Sequence, residues 1–395
     1  MASVIIKQEI CRTLKYRHPW IFSGAIKRIE GTPALGETVE IYTESNEMVG
    51  RGAYSPKSKI AIRMWSFEPK EEITKEFFTK RISYSIESRK KNQIASAGNS
   101  FRLIFAESDG IPGLIVDKFA DYLVCQFLSA GAEYYKKIIV EVLQELMPCK
   151  GVYERSDVEI REKEGLPLIS GILAGTEPPE LVEIEENNLK FYVGIKNGHK
   201  TGFYLDQRVN RSLVAEYAKG REVLDCFTYT GGFSVSALNA GAGKVTSIDS
   251  SGPALEMLKK NIELNNLDST KSELIEAKVA EQLRKYRDMG KQFDMIILDP
   301  PKFIYDRSHL EQATRAYKDI NLLGIKLLKA GGILATFSCS QPMGEELFQQ
   351  MISYAATDAN KSVQILHKLW QSPDHPVAVN FPESSYLKGL ICRVG

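Results

Sequence analysis

From about residue 190 onward, short apolar runs that end in a reactive side chain alternate with helical stretches, and few folds accept that pattern. The runs are Glu222-Val223-Leu224-Asp225-Cys226, Lys244-Val245-Thr246-Ser247-Ile248-Asp249, Phe293-Asp294-Met295-Ile296-Ile297-Leu298-Asp299 and Gly332-Ile333-Leu334-Ala335-Thr336-Phe337. Pro253 to Leu264 and Ala313 to Leu328 read as helices between them. Nearly continuous apolar strands are buried on both faces, which calls for a parallel sheet with helices on each side. A doubly wound α/β domain is the expected fold. Such sheets bind ligands outside the carboxyl ends of their strands. Those ends carry Asp225, Asp249, Asp299 and, just past the last run, Cys339.

The first strand runs into Thr230-Gly231-Gly232-Phe233, where glycines let the backbone approach a ligand before a helix starts. The full GxGxxG dinucleotide fingerprint is missing. Asp249 closes the second strand about 20 residues on, where a carboxylate can accept both hydroxyls of a ribose. Together these features predict nucleoside binding. Asp299-Pro300-Pro301-Lys302-Phe303 follows the fourth strand. Its prolines stiffen the loop and remove two backbone donors, leaving oxygens and a ring that suit a flat base. Cys339, in Ser338-Cys339-Ser340, can become a thiolate if a cation or helix terminus lies near. The bland alternatives are a strand-end cap for Asp249, a structural turn for the proline loop and a small buried hydrophobe for Cys339. Cys226, Cys11, Cys125, Cys149 and Cys392 read as packing residues.

The remainder of the chain is of another kind. Residues 1 to about 70 alternate apolar and polar side chains in short segments such as 38–42 and 59–65, as half-buried strands do, and suggest a small barrel. Lys70 to Lys91 reads as a helix with a basic, solvated face, and Glu133 to Met147 as an amphipathic helix within a second α+β unit. The boundaries expected are 1–70, 71–190 and 191–395. Of 395 residues, 43% are hydrophobic and 26% charged, which excludes a disordered, fibrous or small disulfide-stapled protein. Net charge is only +1, yet residues 1–100 hold 17 Lys and Arg against 11 Asp and Glu, so the basic part is N-terminal. There is no CxxC pair, no HExxH spacing and no apolar run of about 18 residues, so neither a metal site nor a membrane span is expected. The expected compartment is the reducing cytoplasm.

Asp225 to Val235, Asp249 and Asp299-Pro300-Pro301-Lys302-Phe303 resemble the class I S-adenosylmethionine-dependent RNA methyltransferases. His199-Lys200-Thr201-Gly202-Phe203-Tyr204-Leu205-Asp206-Gln207-Arg208, Tyr317-Lys318-Asp319-Ile320-Asn321 and Phe337-Ser338-Cys339-Ser340 sharpen the match. With Arg17 to Gly24 and Tyr386-Leu387-Lys388-Gly389, almost the whole chain is similar to the bacterial enzymes that make 5-methylcytosine in 23S ribosomal RNA. The resemblance implies an N-terminal PUA domain for RNA, a middle α+β domain and a C-terminal Rossmann-like catalytic domain. It places Asp225, Phe227, Gly231 and Asp249 on the cofactor, with Phe203, Tyr204, Gln207 and Arg208 lining the cofactor and active-site cleft. Asp299, Pro300, Lys302 and Phe303 would hold the cytosine, and Cys339 would be the nucleophile. Arg12, Lys15, Arg17, Lys27 and Arg28, in the basic N-terminal quarter, are the first candidates for RNA contact. A homodimer is one option that the resemblance carries.

Two departures matter. Many RNA cytosine-5 methyltransferases have a second cysteine beside the proline after the fourth strand; here Pro301 is followed by Lys302, which implies a single-cysteine mechanism. Relatives usually place an acidic residue after the third strand for the adenine amino group. This chain reads Glu276-Ala277-Lys278-Val279, leaving Glu276 or backbone groups for that task. The base that removes the C5 proton stays open among Asp299, a hydroxyl of Ser338 or Ser340, and water. Two rival readings are methylation of an exocyclic nitrogen, which needs no cysteine, and a non-catalytic ribosome-assembly binder.

Overall fold

Six short strands open the chain: β1 (Ser3–Ile6), β2 (Trp20–Ile21), β3 (Ile26–Glu30), β4 (Thr38–Thr43), β5 (Met48–Tyr54) and β6 (Ile62–Ser66). The computed structural model describes residues 2–8, 14–92, 98–303 and 310–395. The strands pair in the order β2-β6-β5-β4-β1-β3, with β1 parallel to β4, around a core of Val4, Ile6, Ile21, Val39, Ile41, Ile62 and Met64. The half-buried alternation expected over 59–65 is not what β6 shows: all five of its residues are buried. Ile62 and Met64 enter this first core, whereas Trp65 packs with Phe77 and Phe78 in the next.

That next core lies under a five-stranded sheet of order β11-β10-β9-β8-β7. Its elements are α1 (Lys75–Lys91), β7 (Ser100–Phe105), β8 (Leu114–Phe119), β9 (Tyr122–Phe127), α2 (Ala130–Tyr134), α3 (Lys136–Leu146), β10 (Gly151–Ser156), α4 (Ile160–Glu164) and β11 (Ile169–Gly175). The single helix expected over 133–147 is two. The hydroxyl of Ser129 caps an earlier start by accepting from the Ala132 N–H, and Tyr135 leaves the helical region between the two pieces. On α1, Phe78, Ile82 and Ile86 recur at helical spacing and face the core. Arg89 departs from the solvated basic face: it is 1% exposed and grips Asp109 through two N–H···O bonds of 2.7 and 2.6 Å.

The hairpin strands β12 (Val182–Glu186) and β13 (Leu189–Val193) precede the α/β region. That region comprises α5 (Arg208–Ala215), β14 (Glu222–Cys226), α6 (Gly232–Asn239), β15 (Lys244–Asp249), α7 (Gly252–Leu264), β16 (Ser272–Glu276), α8 (Val279–Asp288), β17 (Phe293–Leu298), α9 (Leu310–Leu327), β18 (Leu328–Ser338), α10 (Glu345–Ala359), β19 (Val363–Trp370) and β20 (Lys388–Val394). Its seven-stranded sheet has the order β16-β15-β14-β17-β18-β20-β19. The first five strands are parallel and β20 runs against both neighbours. Strand order reverses between β14 and β17, which is where a doubly wound sheet opens a ligand crevice.

Two compact units make up the chain. The first contains 1–186, 193–205 and 373–384; the second contains 187–192, 206–372 and 385–395. Among the described residues no helix is long and apolar enough to cross a membrane.

Candidate active site

Parallel pairing brings the carboxyl ends of β14, β17 and β18 to one level, with Cys226 opposite Leu298 and Leu298 opposite Thr336. Asp225, Asp299 and Cys339, expected from sequence to share a ligand crevice, therefore emerge on the same edge of the second unit. Asp225 is 1% exposed. Its Oδ2 accepts from the Thr228 hydroxyl at 2.7 Å and the Ser234 hydroxyl at 2.6 Å, while Oδ1 has no partner among the described residues. Burial, reinforced by the charge of Asp249, pushes its carboxyl up to about 6 against the two hydrogen bonds. A buried carboxylate oxygen without a donor suits a cationic ligand group.

The loop after β14 has an unusual backbone. Phe227, Tyr229 and Gly231 all have positive φ, at 63°, 50° and 86°. It is pinned by the Ile248 carbonyl, which accepts from the Phe227 and Thr228 N–H groups, and by Asn261, which donates to the Thr230 carbonyl at 2.9 Å. Gly231 satisfies two demands at once. A side chain would be strained at its φ, and a Cβ would stand 2.0 Å from Cδ1 of Leu258 on α7. Gly231→Ala should lower stability by about 1–3 kcal/mol, read from the denaturant midpoint of the second unit. An unchanged midpoint would mean the loop can relax away from Leu258.

Asp249 ends β15 half-exposed. Its Oδ2 accepts from the Tyr229 N–H at 2.9 Å and its Oδ1 from the Ser251 N–H at 3.0 Å. Each oxygen retains acceptor capacity, so the carboxylate is aimed by backbone donors and can still receive two hydroxyls. Glu276 pairs with Asp249 across β15 and β16, and its carboxylate occupies the space that a side chain at Gly252 would need.

On the other side of the crevice, the Gln207 amide donates to Oδ2 of Asp299 at 3.1 Å. Asn210 donates to Oε1 of Gln207 at 2.6 Å and to the Trp370 carbonyl at 2.9 Å, so a chain of amides orients the carboxylate. Sγ of Cys339 lies 4.0 Å from the carbonyl oxygen of Pro300. Cys339 is partly exposed, whereas Cys125, Cys226 and Cys392 are buried and held well above the ordinary thiol range or, for Cys392, at about 12. Lys302 is exposed. Phe303, expected to meet a base, packs against Tyr317 with ring centroids 4.8 Å apart.

Not every expected residue joins this group. Of the stretch 199–208, Asp206, Gln207 and the buried Arg208 belong to the second unit, whereas Phe203 and Tyr204 belong to the first. There Phe203 is 4% exposed and Tyr204 has Lys200 over its ring at 4.3 Å. Lys15 is exposed and Arg17 pairs with Glu68 at 3.1 Å; Arg12 lies outside the described residues. Lys388 received no role from sequence. It is 7% exposed and donates to the carbonyls of Ser340 and Met343 beside Cys339. Its signal was a lone charge in the apolar run Leu387 to Cys392, since lysine is almost never buried without purpose.

Residues 168–393 match the family of S-adenosylmethionine-dependent methyltransferases, and residues 4–67 match the PUA-like domain. The chain belongs to the S-adenosylmethionine-dependent methyltransferase family. This methyltransferase is 51% identical over 97% of both chains to the Ribosomal RNA large subunit methyltransferase I of Pseudoalteromonas atlantica. It is 49% identical, with the same coverage, to the protein of that name from Escherichia coli. Among solved structures, a Streptococcus mutans chain described as a candidate SAM-dependent methyltransferase superposes over the full length of both chains with a TM-score of 0.85 at 23% identity, a likeness of fold. The cofactor is S-adenosylmethionine, and the orphaned Oδ1 of Asp225 together with the two-armed carboxylate of Asp249 fits its ammonium and ribose.

Proposed function

We propose that this methyltransferase transfers a methyl group from S-adenosylmethionine to C5 of a cytosine in 23S ribosomal RNA, through a covalent bond between Cys339 and C6. The observation that carries the reading is the partly exposed Cys339 thiol beside the Asp299-Pro300 loop, at the carboxyl edge of the sheet that holds Asp225 and Asp249. The name of the relatives at about 50% identity supports ribosomal RNA of the large subunit as the substrate.

Cytosine C5 is a weak nucleophile. Addition of the Cys339 thiolate to C6 forms the S–C6 bond and gives the ring enamine character, raising electron density at C5. Bound S-adenosylmethionine supplies an electrophilic methyl group, which C5 takes. Loss of the C5 proton to a base then restores the double bond and expels the thiolate. Asp299, held by Gln207, accepts from the cytosine N4 amino group, and Lys302 meets negative charge on the substrate. The base has to be unpaired or flipped to enter such a crevice. Asp249 takes the ribose hydroxyls, Asp225 the ammonium, and the loop at Phe227 and Gly231 the backbone of the cofactor. Arg208 lines the same crevice. In the PUA-like region Lys15 and Arg17, with Arg12, contact phosphates. The enzyme works in the cytoplasm, where its RNA is assembled.

The test is transfer from methyl-labelled cofactor to 23S RNA, followed by mass spectrometry of the nucleosides. 5-Methylcytidine is the expected product, and its absence with active cofactor-bound enzyme would end the reading. A second measurement concerns Asp225. Its carboxyl titrates at about 6 and only the carboxylate attracts an ammonium, so cofactor affinity falls as pH drops through about 6. Calorimetry should find Kd rising toward tenfold per pH unit below that point. Asp225→Asn should bind about 10- to 100-fold more weakly at pH 7.5 and lose this pH dependence. A flat wild-type profile would remove Asp225 from the cofactor site.

A further inference from the structure

The turn that carries Cys339 is clamped from two elements. On α9, the Tyr317 hydroxyl lies 3.0 Å from the Ser340 hydroxyl, and the Ser338 hydroxyl accepts from the Ser340 N–H at 3.3 Å. On β20, Lys388 stands opposite Ser338 in the antiparallel ladder, and its Nζ donates to the Ser340 carbonyl at 2.7 Å and the Met343 carbonyl at 2.6 Å. Two of its three N–H donors are thereby engaged by neutral groups, and no carboxylate forms an ion pair with it among the described residues.

A buried ammonium without a counter-ion is costly, and the fold keeps one beside its partly exposed thiol. Burial lowers the Lys388 ammonium to about 8; Lys302 pushes the same way, while Cys339 and the exposed Glu345 oppose it. Sγ approaches the carbonyl of Pro300, the residue after Asp299, and Tyr317 on α9 feels the charge of both Cys339 and Asp299; burial raises the Tyr317 hydroxyl to about 12. Tyr317 stays neutral, and among the described residues Lys388 and Lys302 are the cations placed at this turn. Lys302 is solvated and screened, whereas Lys388 is fixed and dry.

We infer that Lys388 is the positioning residue of the nucleophile, fixing the Ser338–Met343 turn through two carbonyls and supplying the counter-charge of the Cys339 thiolate. The inference rests on Cys339 being the nucleophile. The thiol proton passes to solvent, and the negative charge left on sulfur faces a cation that is already paid for in desolvation.

The test needs no RNA. Iodoacetamide alkylation of Cys339 is followed against pH by mass spectrometry of its peptide, in the full chain and in Lys388→Met and Lys388→Arg, with cofactor binding as the check that each variant is folded. The wild-type midpoint is expected below the free-thiol value of about 8.5. Lys388→Met should raise it by about one unit or more, and Lys388→Arg should return it most of the way. A folded Lys388→Met with the wild-type midpoint overturns the inference. If Lys388→Met does not fold, the wild-type curve decides, because a midpoint at or above the free-thiol value overturns it equally. RNA that gains no 5-methylcytidine while Cys339 keeps a depressed midpoint would overturn the proposed substrate and leave the Lys388–Cys339 pair standing.

Discussion

Cys339→Ala is expected to lose methyl transfer by at least about 10³-fold while binding S-adenosylmethionine within about twofold of the wild type. The asymmetry follows from where the thiol sits. Cys339 lies next to Pro300, whereas the groups proposed for the cofactor are gathered around Asp225 and Asp249. Removing the sulfur leaves the cofactor pocket untouched and deprives C5 of the adduct that makes it nucleophilic. RNA carrying 5-fluorocytosine sharpens the experiment. The C5 fluorine cannot leave as the proton does, so after methyl transfer the enzyme stays bound to RNA through C6 and survives a denaturing gel. The wild type should form that species and Cys339→Ala should not. If Cys339→Ala kept full activity, the exocyclic-nitrogen chemistry that needs no thiol would replace the cytosine-C5 reading.

The second large effect is on stability. Arg89→Met should destabilise the first unit by about 3–5 kcal/mol. Arg89 is 1% exposed; besides its paired bonds to Asp109 it donates to the Arg102 carbonyl at 3.1 Å and the Asp374 carbonyl at 3.0 Å. Methionine fills much of the volume but leaves the Asp109 carboxylate buried without its cation and takes one donor from each of two carbonyls. The network continues: Asp374 accepts from the Arg102 N–H at 2.9 Å, and Arg102 grips Asp117 through two bonds of 2.8 Å. Calorimetry should place the first-unit transition roughly 6–20 °C lower. A transition within one degree of the wild type would show that the pair adds nothing to stability.

The active-site scaffold was legible because its signals are local. Expected strands at 222–226 and 244–249 coincide with β14 and β15, and the run at 293–299 with β17 to within one residue. Burial on both faces leaves an unbroken apolar run, and a carboxylate at its end has few uses other than a ligand. β19 left no such trace. It is largely exposed and mixes polar with apolar residues, and it becomes a strand only because β20 pairs with it. Phe303 was read as free to meet a base, yet its ring packs on Tyr317, whose seat on α9 could not be placed against the proline loop in advance.

The sequence alone determined the α/β class, the reactive strand ends Asp225, Asp249, Asp299 and Cys339, and the glycine that the first loop requires, because each depends on neighbours a few residues away. Tertiary structure decided which distant groups serve them. Gln207 reaches Asp299 across 92 positions and Lys388 reaches Ser340 across 48. It also decided that 193–205 and 373–384 fold with the first unit, where Thr201 donates to Asp117 and Asp374 enters the arginine network. Hydrogen bonds between buried charges have no period along the chain. Their partners are chosen by the cost of leaving a charge unpaired in a dry interior, and that cost exists only once the chain has closed around it.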